Sequence, residues 1–274
     1  MPGSLEQSSK DRKIARLKSL LTGYESMLIA FSGGIDSGFL LKAALDFLGR
    51  ENVLAVTATG EIQLQKDLED AKSFAETIGA PWQTLERDLL NEEEFRLNSR
   101  DRCYHCKSGL FESLQGVAKE EGLNEIATGA ILDDREEDRP GRRAGREFGV
   151  KKPLEEAGLK KAEIRNYGKK LGLPGWSKPS NSCLATRVPF GEEITGERLD
   201  RVSSAESYLY DIGFKGFRVR DHGEIARLEL RQQDIQAAVN QRDRIVHNLK
   251  NFGYKYVTLD LAGYRTGSLL ESEK

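Results

Sequence analysis

Short apolar runs alternate with amphipathic stretches over the first half of the chain. Residues 27–31 (MLIAF) and 53–58 (VLAVTA) are continuous apolar runs, which is typical of strands buried on both faces of a parallel sheet. Between them, apolar residues from Phe39 to Leu48 recur at helical spacing, and Gly49 follows the last of them. The pattern predicts two strands joined by a crossover helix.

The same alternation continues to the middle of the chain. It predicts a second helix over 64–78, a third strand at 82–85, a helix over 110–118 and a fourth strand at 125–129. Strands that alternate with helices form parallel βαβ units, so we expect an α/β domain. In such a sheet ligands bind at the carboxyl ends of the strands, and most candidate site residues follow a predicted strand.

The pattern changes after residue 190 and predicts a second, smaller α+β domain. Its predicted elements are a helix over 195–211, a hairpin of the strands 217–220 and 225–230, a helix over 232–250 and a strand at 256–261. We therefore expect a flexible, polar N-terminus at 1–12, a large α/β domain at 13–190 and the α+β domain at 191–274.

A long polar segment, 131–152, interrupts the large domain. Its length and composition are those of a lid or of a disordered loop. Its arginines either close over phosphate or keep the loop soluble; they are Arg139, Arg142, Arg143 and Arg146.

Composition limits the function further. The net charge is −2, whereas proteins that bind long nucleic acids usually carry a basic surplus, so a nucleic-acid partner is unlikely on charge grounds. No run reaches the roughly 18 apolar residues that span a bilayer, and no secretory signal precedes the first helix, so we expect a cytoplasmic protein without a membrane partner. The sequence does not specify the oligomeric state, and a homo-oligomer is possible.

The segment 32–37 (SGGIDS) lies between the first strand and its helix, where it predicts a phosphate-binding loop. Gly33 and Gly34 let the backbone approach a ligand closely, and the following helix offers unpaired N–H groups to an anion. Ser32 and Ser37 add hydroxyl groups. Asp36 suits a polyphosphate site if it holds Mg²⁺. The alternative is a simple glycine turn with a helix cap.

The loop differs from the phosphate loop of ordinary kinases and ATPases. The pattern GxxxxGK[ST] is absent, and no lysine lies in 32–37, which argues against transfer of the γ-phosphate. The segment resembles the SGGxDS signature of the PP-loop ATP pyrophosphatases. That resemblance, over residues 20–190, implies an adenine nucleotide α-hydrolase-like fold and an enzyme that adenylates an oxygen and releases pyrophosphate from ATP.

Three cysteines form a CxxC pair and one later thiol, namely Cys103, Cys106 and Cys183. An odd number in a reducing compartment argues against structural disulfides. Four ligands are usual for structural zinc, whereas three thiolates suit a [4Fe–4S] cluster with one open iron. A persulfide or disulfide route and a purely structural role are the alternatives.

Other candidates follow strands or alternate along them. Thr57 and Thr59 follow or end the second strand, where adenine and ribose bind in PP-loop enzymes, and Gly129 ends the fourth. Asp133 and Asp134 come next along the chain and are further candidates for Mg²⁺, or part of a solvated acidic surface.

Three arginines are candidates for binding anions. Arg187 follows Cys183 closely, and its guanidinium suits pyrophosphate or a substrate carboxylate; the alternative is a surface ion pair. Arg218 and Arg220 alternate along one predicted strand, so they share a face and suit a nucleotide monophosphate; here the alternative is an exposed strand with glutamate partners such as Glu229.

Longer motifs in both halves resemble a single family, the ATP-dependent sulfur transferases of the LarE type. The similar segments are 178–191 (KPSNSCLATRVPFG), 217–222 (FRVRDH) and 256–267 (YVTLDLAGYRTG). The resemblance implies synthesis of the nickel-pincer nucleotide of lactate racemase. The substrate would be pyridinium-3,5-biscarboxylic acid mononucleotide, whose carboxylates become thiocarboxylates.

Members of that family differ in their sulfur source. Some give up the sulfur of one cysteine, a position that falls near Ser182 here, whereas others carry CxxC with a later cysteine and bind a [4Fe–4S] cluster. The resemblance implies the second kind for this chain, with ATP, Mg²⁺ and the cluster as cofactors and a sulfide donor as partner. Alternatives are a tRNA thiolase of the PP-loop class, an ammonia-using PP-loop ligase and a non-catalytic nucleotide sensor.

Overall fold

The computed structural model describes residues 5, 11–134, 140–177 and 182–265. The N-terminus predicted to be flexible at 1–12 lies mostly outside them. Asp11 and Arg12 are described, and the first helix begins there because the Asp11 carboxylate accepts a hydrogen bond from the backbone N–H of Lys13 (2.9 Å).

The secondary structure follows the predicted alternation of strands and helices. The strands are β1 Met27–Ala30, β2 Val53–Thr59, β3 Trp82–Glu86, β4 Glu125–Thr128, β5 Arg218–His222, β6 Ile225–Glu229 and β7 Tyr256–Leu259. The helices are α1 Arg12–Tyr24, α2 Ile35–Leu48, α3 Gln65–Ile78, α4 Glu93–Arg96, α5 Arg102–Glu120, α6 Pro140–Glu147, α7 Pro153–Glu156, α8 Lys161–Leu171, α9 Gly196–Asp211, α10 Ile235–Asn240 and α11 Arg242–Asn251.

The chain divides into two compact units. The first comprises Met1–Asp88 and Asp101–Asn181, and the second comprises Leu89–Arg100 and Ser182–Lys274. The sequence-based boundary at residue 190 would assign 89–100 and 182–190 to the first domain. In the structure these segments lie with the C-terminal part of the chain: the Asn98 amide donates to the backbone oxygens of Pro189 (2.7 Å) and Glu192 (2.9 Å).

The first unit is built on a four-stranded sheet of order β3-β2-β1-β4, in which every pair is parallel. This confirms the predicted α/β fold. The apolar runs are continuous because both faces are covered. On one face of the sheet, Leu28 and Val56 belong to an apolar cluster with Phe111 of α5. On the other face, Ile29 belongs to a second cluster with Phe39 of α2.

The second unit carries a smaller mixed sheet of order β5-β6-β7. The predicted hairpin is confirmed, since β5 and β6 pair antiparallel with Arg218 opposite Glu229, and β7 pairs parallel to β6. Helices α9 and α11 cover this sheet with Leu209 and Leu249. The helix predicted over 232–250 is interrupted at Gln241, which separates α10 from α11.

The polar segment 131–152 contains a helix that its composition did not predict. Residues 135–139, including Arg139, lie outside the described part of the chain, and α6 follows them. Small residues face α5: Gly141, Ala144 and Gly145 are buried, and a Cβ at Gly141 would lie 2.7 Å from Lys107 Cδ. The segment lacks the large apolar residues by which a buried helix face is usually recognised, because small residues pack closely against α5 in their place. No helix among the described residues is long and apolar enough to cross a membrane.

Candidate active site

The loop after β1 makes a tight turn that only glycine allows. Gly33 has a φ of +72°, and a Cβ there would lie 2.9 Å from the Cβ of Ala71 on α3. Gly34 is the N-cap of α2 and provides no side-chain cap. The N–H groups at the start of α2 are therefore available to an anion.

The two serines brace this loop. The Ser37 hydroxyl donates to the Gly34 carbonyl oxygen (3.1 Å) and accepts from the Ser32 N–H (3.3 Å), and the two hydroxyl oxygens are 3.2 Å apart. The Ser32 hydroxyl also accepts weakly from the Gly34 N–H (3.4 Å). The hydroxyls thus fix the shape of the turn.

Gly129 packs directly on the start of α2. A Cβ at this position would lie 2.5 Å from the backbone nitrogen of Ser37 and 2.7 Å from its Cα. Backbone atoms cannot move aside as the end of a long side chain can, so the end of β4 and the phosphate loop require glycine here. The structure brings this predicted residue to the loop as a close-packing residue.

Asp36 stands in the first turn of α2 and has one unused oxygen. Its Oδ2 accepts from Lys161 Nζ (2.5 Å), whereas its Oδ1 is buried without a hydrogen-bond partner among the described residues. Burial raises the pKa of the Asp36 carboxyl, and nearby Asp134 adds to the increase, although Lys161 opposes it. A desolvated carboxylate with a bare oxygen fits Mg²⁺, which prefers oxygen ligands.

The sequence analysis missed the basic residues of α8. Lys161 begins this helix, its N–H donates to Asp133 Oδ2 (2.6 Å), and Arg165 one turn later lowers the pKa of Asp36 through its charge. A signal was available, because a lysine at a helix N-terminus opposes the helix dipole and calls for a carboxylate partner.

The two threonines predicted to contact adenine and ribose lie in different surroundings: Thr57 in the sheet and Thr59 at a pocket. Thr57 is buried within β2, and its hydroxyl accepts from the Trp82 indole N–H (2.9 Å). Thr59 at the end of β2 lines a pocket of about 430 Å³. The other lining residues are Gly60, Glu61, Glu86, Arg87 and Asp88.

Cys103 and Cys106 lie in the first two turns of α5, separated by one helical turn. Cys103, Cys106 and Cys183 form no disulfide. Arg102 donates to Cys103 Sγ (3.9 Å), and Arg87 of the nucleotide-side pocket donates to the Cys106 carbonyl oxygen (2.7 Å). The pair thus lies in a cationic environment next to that pocket.

Cys183 belongs to the second unit, where it precedes a short turn, Leu184–Arg187. The cluster formed by all three cysteines therefore stays a prediction. Among the described residues, no group of three or more His, Cys, Asp or Glu side chains is arranged to hold a metal ion. The donor chemistry nevertheless fits iron, since three cysteines outside disulfides are present and the CxxC pair shares one face of α5.

Arg187 is completely buried and directs its guanidinium to protein acceptors. Its Nε and Nη2 donate to the two carboxylate oxygens of Glu206 (2.8 Å each). Its Nη1 contacts four oxygens of the turn that carries Cys183: the backbone oxygens of Ser182 and Cys183 and the hydroxyls of Ser182 and Thr186. The geometry suits a residue that shapes this turn better than one that contacts substrate.

Arg218 and Arg220 are also buried, on β5. Arg220 donates to Glu229 Oε2 and to the Thr186 carbonyl oxygen (2.8 Å each), and Arg218 lies over the Tyr264 ring at 5.2 Å. Burial and neighbouring Arg187 lower the pKa of the Arg218 guanidinium. Several cations close together in a buried site favour an additional anion.

Comparisons with known proteins agree with this geometry. A family model described as NAD synthase matches residues 14–93. The chain is 40% identical to uncharacterized protein slr1717 of Synechocystis sp., over 94% of this chain and 97% of that protein. It is 37% identical to the pyridinium-3,5-bisthiocarboxylic acid mononucleotide synthase of Lactiplantibacillus plantarum, over 94% of this chain and 93% of the synthase.

A tRNA-specific 2-thiouridylase of Rhizobium rhizogenes is 31% identical, but over only 43% of this chain. That match also covers only 35% of the thiouridylase, so it does not show that this chain is a tRNA thiolase. The match to the mononucleotide synthase covers 94% of this chain and therefore extends into both units. The chain therefore belongs to the LarE family, the ATP-dependent sulfur transferases of the PP-loop ATP pyrophosphatase superfamily.

Proposed function

We propose that this enzyme uses ATP to convert the carboxylates of pyridinium-3,5-biscarboxylic acid mononucleotide into thiocarboxylates, for nickel-pincer nucleotide synthesis and lactate racemase maturation. The observation that carries the proposal is the uncapped start of α2 beside the bare oxygen of Asp36, in a chain that matches the mononucleotide synthase almost from end to end. It is a site for a polyphosphate and its cation.

The first step of the proposed reaction is adenylation. A substrate carboxylate oxygen attacks the α-phosphorus of ATP, the bond from that phosphorus to the bridging oxygen breaks, and pyrophosphate leaves. The N–H groups of the turn and of the start of α2 bind the pyrophosphate, with Ser32 and Ser37 bracing the turn. Asp36 would hold Mg²⁺, which neutralises phosphate charge. Thr59 would lie at the nucleoside side.

The second step replaces oxygen by sulfur. Sulfide attacks the carbonyl carbon of the acyl adenylate, the bond from that carbon to the AMP oxygen breaks, and AMP leaves with a thiocarboxylate as product. Adenylation is needed because a carboxylate is a poor electrophile, whereas AMP is a good leaving group. Both carboxylates of the substrate would react in this way, each with one ATP.

Cys103, Cys106 and Cys183 would hold the [4Fe–4S] cluster. When bound, such a cluster supplies a soft iron site that can carry sulfide from a donor. Ser182 occupies the place near which other members of the family carry a sacrificial cysteine, so transfer of a cysteine sulfur from that position is not available. Three cysteines that form no disulfide also fit a cytoplasmic, reducing location.

Arg218 and Arg220 would bind the phosphate of the mononucleotide. Their support is that both guanidinium groups are buried, and that burial and then neighbouring Arg187 lower the pKa of Arg218, an effect that a phosphate dianion would oppose. Arg187 would act one step away, by fixing the turn that carries Cys183 through its contacts with Ser182 and Thr186.

The test is an anaerobic reaction of the purified protein with Mg·ATP, the pyridinium substrate and sulfide, followed by mass spectrometry. Wild-type protein is expected to contain about four iron and four labile sulfide per chain and to form thiocarboxylate. Cys106→Ala is expected to lose the cluster and the formation of thiocarboxylate, whereas Ser113→Ala, on the same helix, is expected to retain the cluster and the activity. Full turnover by metal-free protein would contradict the cluster route. Thiolation of tRNA, or amidation with ammonia, would indicate the alternative enzyme classes.

A further inference from the structure

An ion pair connects the phosphate loop with helix α8. Lys161 Nζ lies 2.5 Å from Asp36 Oδ2, and the two side chains are 25% and 26% exposed. The residues are 125 positions apart in the chain, and the contact connects the start of α8 with the first turn of α2. Lys161 therefore occupies one side of the carboxylate that the proposed function assigns to Mg²⁺.

The backbone and the ammonium group of Lys161 are held by different carboxylates. Its N–H is held by Asp133 Oδ2 (2.6 Å), so the position of the first residue of α8 does not depend on the contact with Asp36. The Lys161 Nζ contacts Asp36 Oδ2, and the lysine side chain is partly exposed. A lysine stem has four rotatable bonds, so the ammonium can reach a second acceptor from the same backbone position.

Mg²⁺ and the ammonium compete for the same carboxylate. The Asp36 side chain is largely buried, and its Oδ1 has no hydrogen-bond partner among the described residues. A divalent cation satisfies such a carboxylate better than one ammonium. Once Asp36 binds the cation, Lys161 has lost its partner and stands at a helix N-terminus, where a positive charge is unfavourable.

A phosphate group of ATP at the same loop would offer the Lys161 ammonium a new anionic partner. We propose that Lys161 exchanges Asp36 for the β- and γ-phosphates when Mg·ATP binds, and that it then stabilises the departing pyrophosphate. This inference rests on the proposed function. As the bond from the α-phosphorus to the bridging oxygen breaks, negative charge grows on that oxygen, and the Lys161 ammonium would neutralise it. No proton transfer is required.

The exchange predicts opposite effects on two ligands, which isothermal titration calorimetry can measure without the sulfur chemistry. In Lys161→Met, Mg²⁺ alone is expected to bind about threefold tighter, because a competitor is gone. Mg·pyrophosphate is expected to bind about tenfold weaker, because a charge-assisted hydrogen bond is lost. Lys161→Arg keeps the charge and is expected to retain most of the pyrophosphate affinity. Lys170→Met, an exposed lysine of the same helix, is the control.

The outcomes separate the two proposals. Loss of affinity for both ligands in Lys161→Met and in the polar variant Lys161→Gln would mean that the ion pair is only structural. Unchanged affinity for both would also overturn the role of Lys161 and leave the proposed function intact. If wild-type protein binds no Mg·pyrophosphate, the proposed function fails together with the inference. Thermal unfolding of each variant verifies that it is folded.

Discussion

Two charged sites, one in each unit, use their side chains in opposite ways. At the phosphate loop, Asp36 keeps a buried carboxylate oxygen without a protein partner, and the start of α2 has no side-chain cap. In the second unit, Arg187 directs its Nε, Nη1 and Nη2 to protein oxygens, and Glu206 binds both Arg187 and the backbone N–H of Val219. The first site has capacity left for a ligand, whereas the second mainly stabilises its own turn and strand.

This difference separates residues that look alike in sequence. Asp36 and Arg187 are both charged residues in a motif, and both suit a phosphate chemically. Burial with complete pairing supports the proposal that Arg187 positions its turn, whereas burial with incomplete pairing supports the proposal that Asp36 binds a ligand. The following predictions test that distinction, from the largest expected effect to the smallest.

Removing the guanidinium of Arg187 is expected to destabilise the fold strongly. Arg187→Met leaves Glu206 buried without its partner, which typically costs about 3–5 kcal/mol in free energy of unfolding. Arg231→Met removes an exposed ion pair with Asp234 and is expected to cost less than about 1 kcal/mol. Denaturant unfolding measures both variants. Equal losses would show that Arg187 does not organise the second unit.

Removing the charge of Asp36 is expected to affect binding and spare the fold. Asp36→Asn should weaken Mg·ATP binding by about 100-fold, roughly 2.7 kcal/mol, while the free energy of unfolding stays within about 1 kcal/mol. The fold is spared because the substitution also relieves a desolvated charge. Glu76→Gln, an exposed carboxylate on α3, serves as the control. Calorimetry that finds full Mg·ATP affinity in Asp36→Asn would remove Asp36 from the site.

A methyl group at Gly129 is expected to push the end of β4 away from the phosphate loop. The added Cβ would lie 2.5 Å from the Ser37 nitrogen, and overpacking of this kind costs about 2 kcal/mol. Gly116→Ala is the matched control, because a Cβ there meets nothing within 4 Å and alanine favours the helix. We expect Gly129→Ala to lose both stability and Mg·pyrophosphate affinity. If it behaves like Gly116→Ala, the close packing has no functional consequence.

The smallest predicted effect is a pH dependence in the second unit. His222 Nε2 is buried without a hydrogen-bond partner among the described residues, and burial and then Arg227 lower the pKa of His222 below its usual 6.5. The unfolded chain therefore binds more protons between these two pKa values. The neutral imidazole contributes stability that is present above pH 6.5 and is lost as the pH falls through the folded-state pKa.

Denaturant unfolding at about pH 7.5 and about pH 5.5 measures this dependence. His222→Gln should lose less stability than wild type on acidification, because it lacks the imidazole whose folded-state pKa is lowered. His247→Gln, which removes an exposed histidine of α11, should follow wild type. Identical pH profiles for His222→Gln and wild type would mean that His222 titrates normally.

Local pattern was sufficient for much of the fold and for the phosphate loop. The four parallel strands follow from apolar runs such as 27–31, and the loop follows from Gly33 and Gly34 between a strand and a helix. Helix α6 was missed because its buried face consists of small residues, so a search for large apolar residues at helical spacing passes over it.

The missed features of the site depend on contacts between distant residues. Lys161 reaches Asp36 across 125 positions, and nothing in the local sequence connects them. From its place in the motif, Arg187 was expected to bind an anion. Its burial against Glu206 is a tertiary property that the local sequence does not reveal. Sequence therefore gives the chemical groups of a site, but not which of them are already paired.

The central claim is that this enzyme cleaves ATP between the α- and β-phosphates to activate a carboxylate of the pyridinium mononucleotide for sulfur transfer. The most direct measurement follows radiolabelled ATP and the pyridinium substrate together under anaerobic conditions with sulfide. The account predicts one pyrophosphate and one AMP for each oxygen replaced by sulfur, and none without the substrate. Release of ADP and phosphate, or pyrophosphate release that ignores the pyridinium substrate, would contradict it.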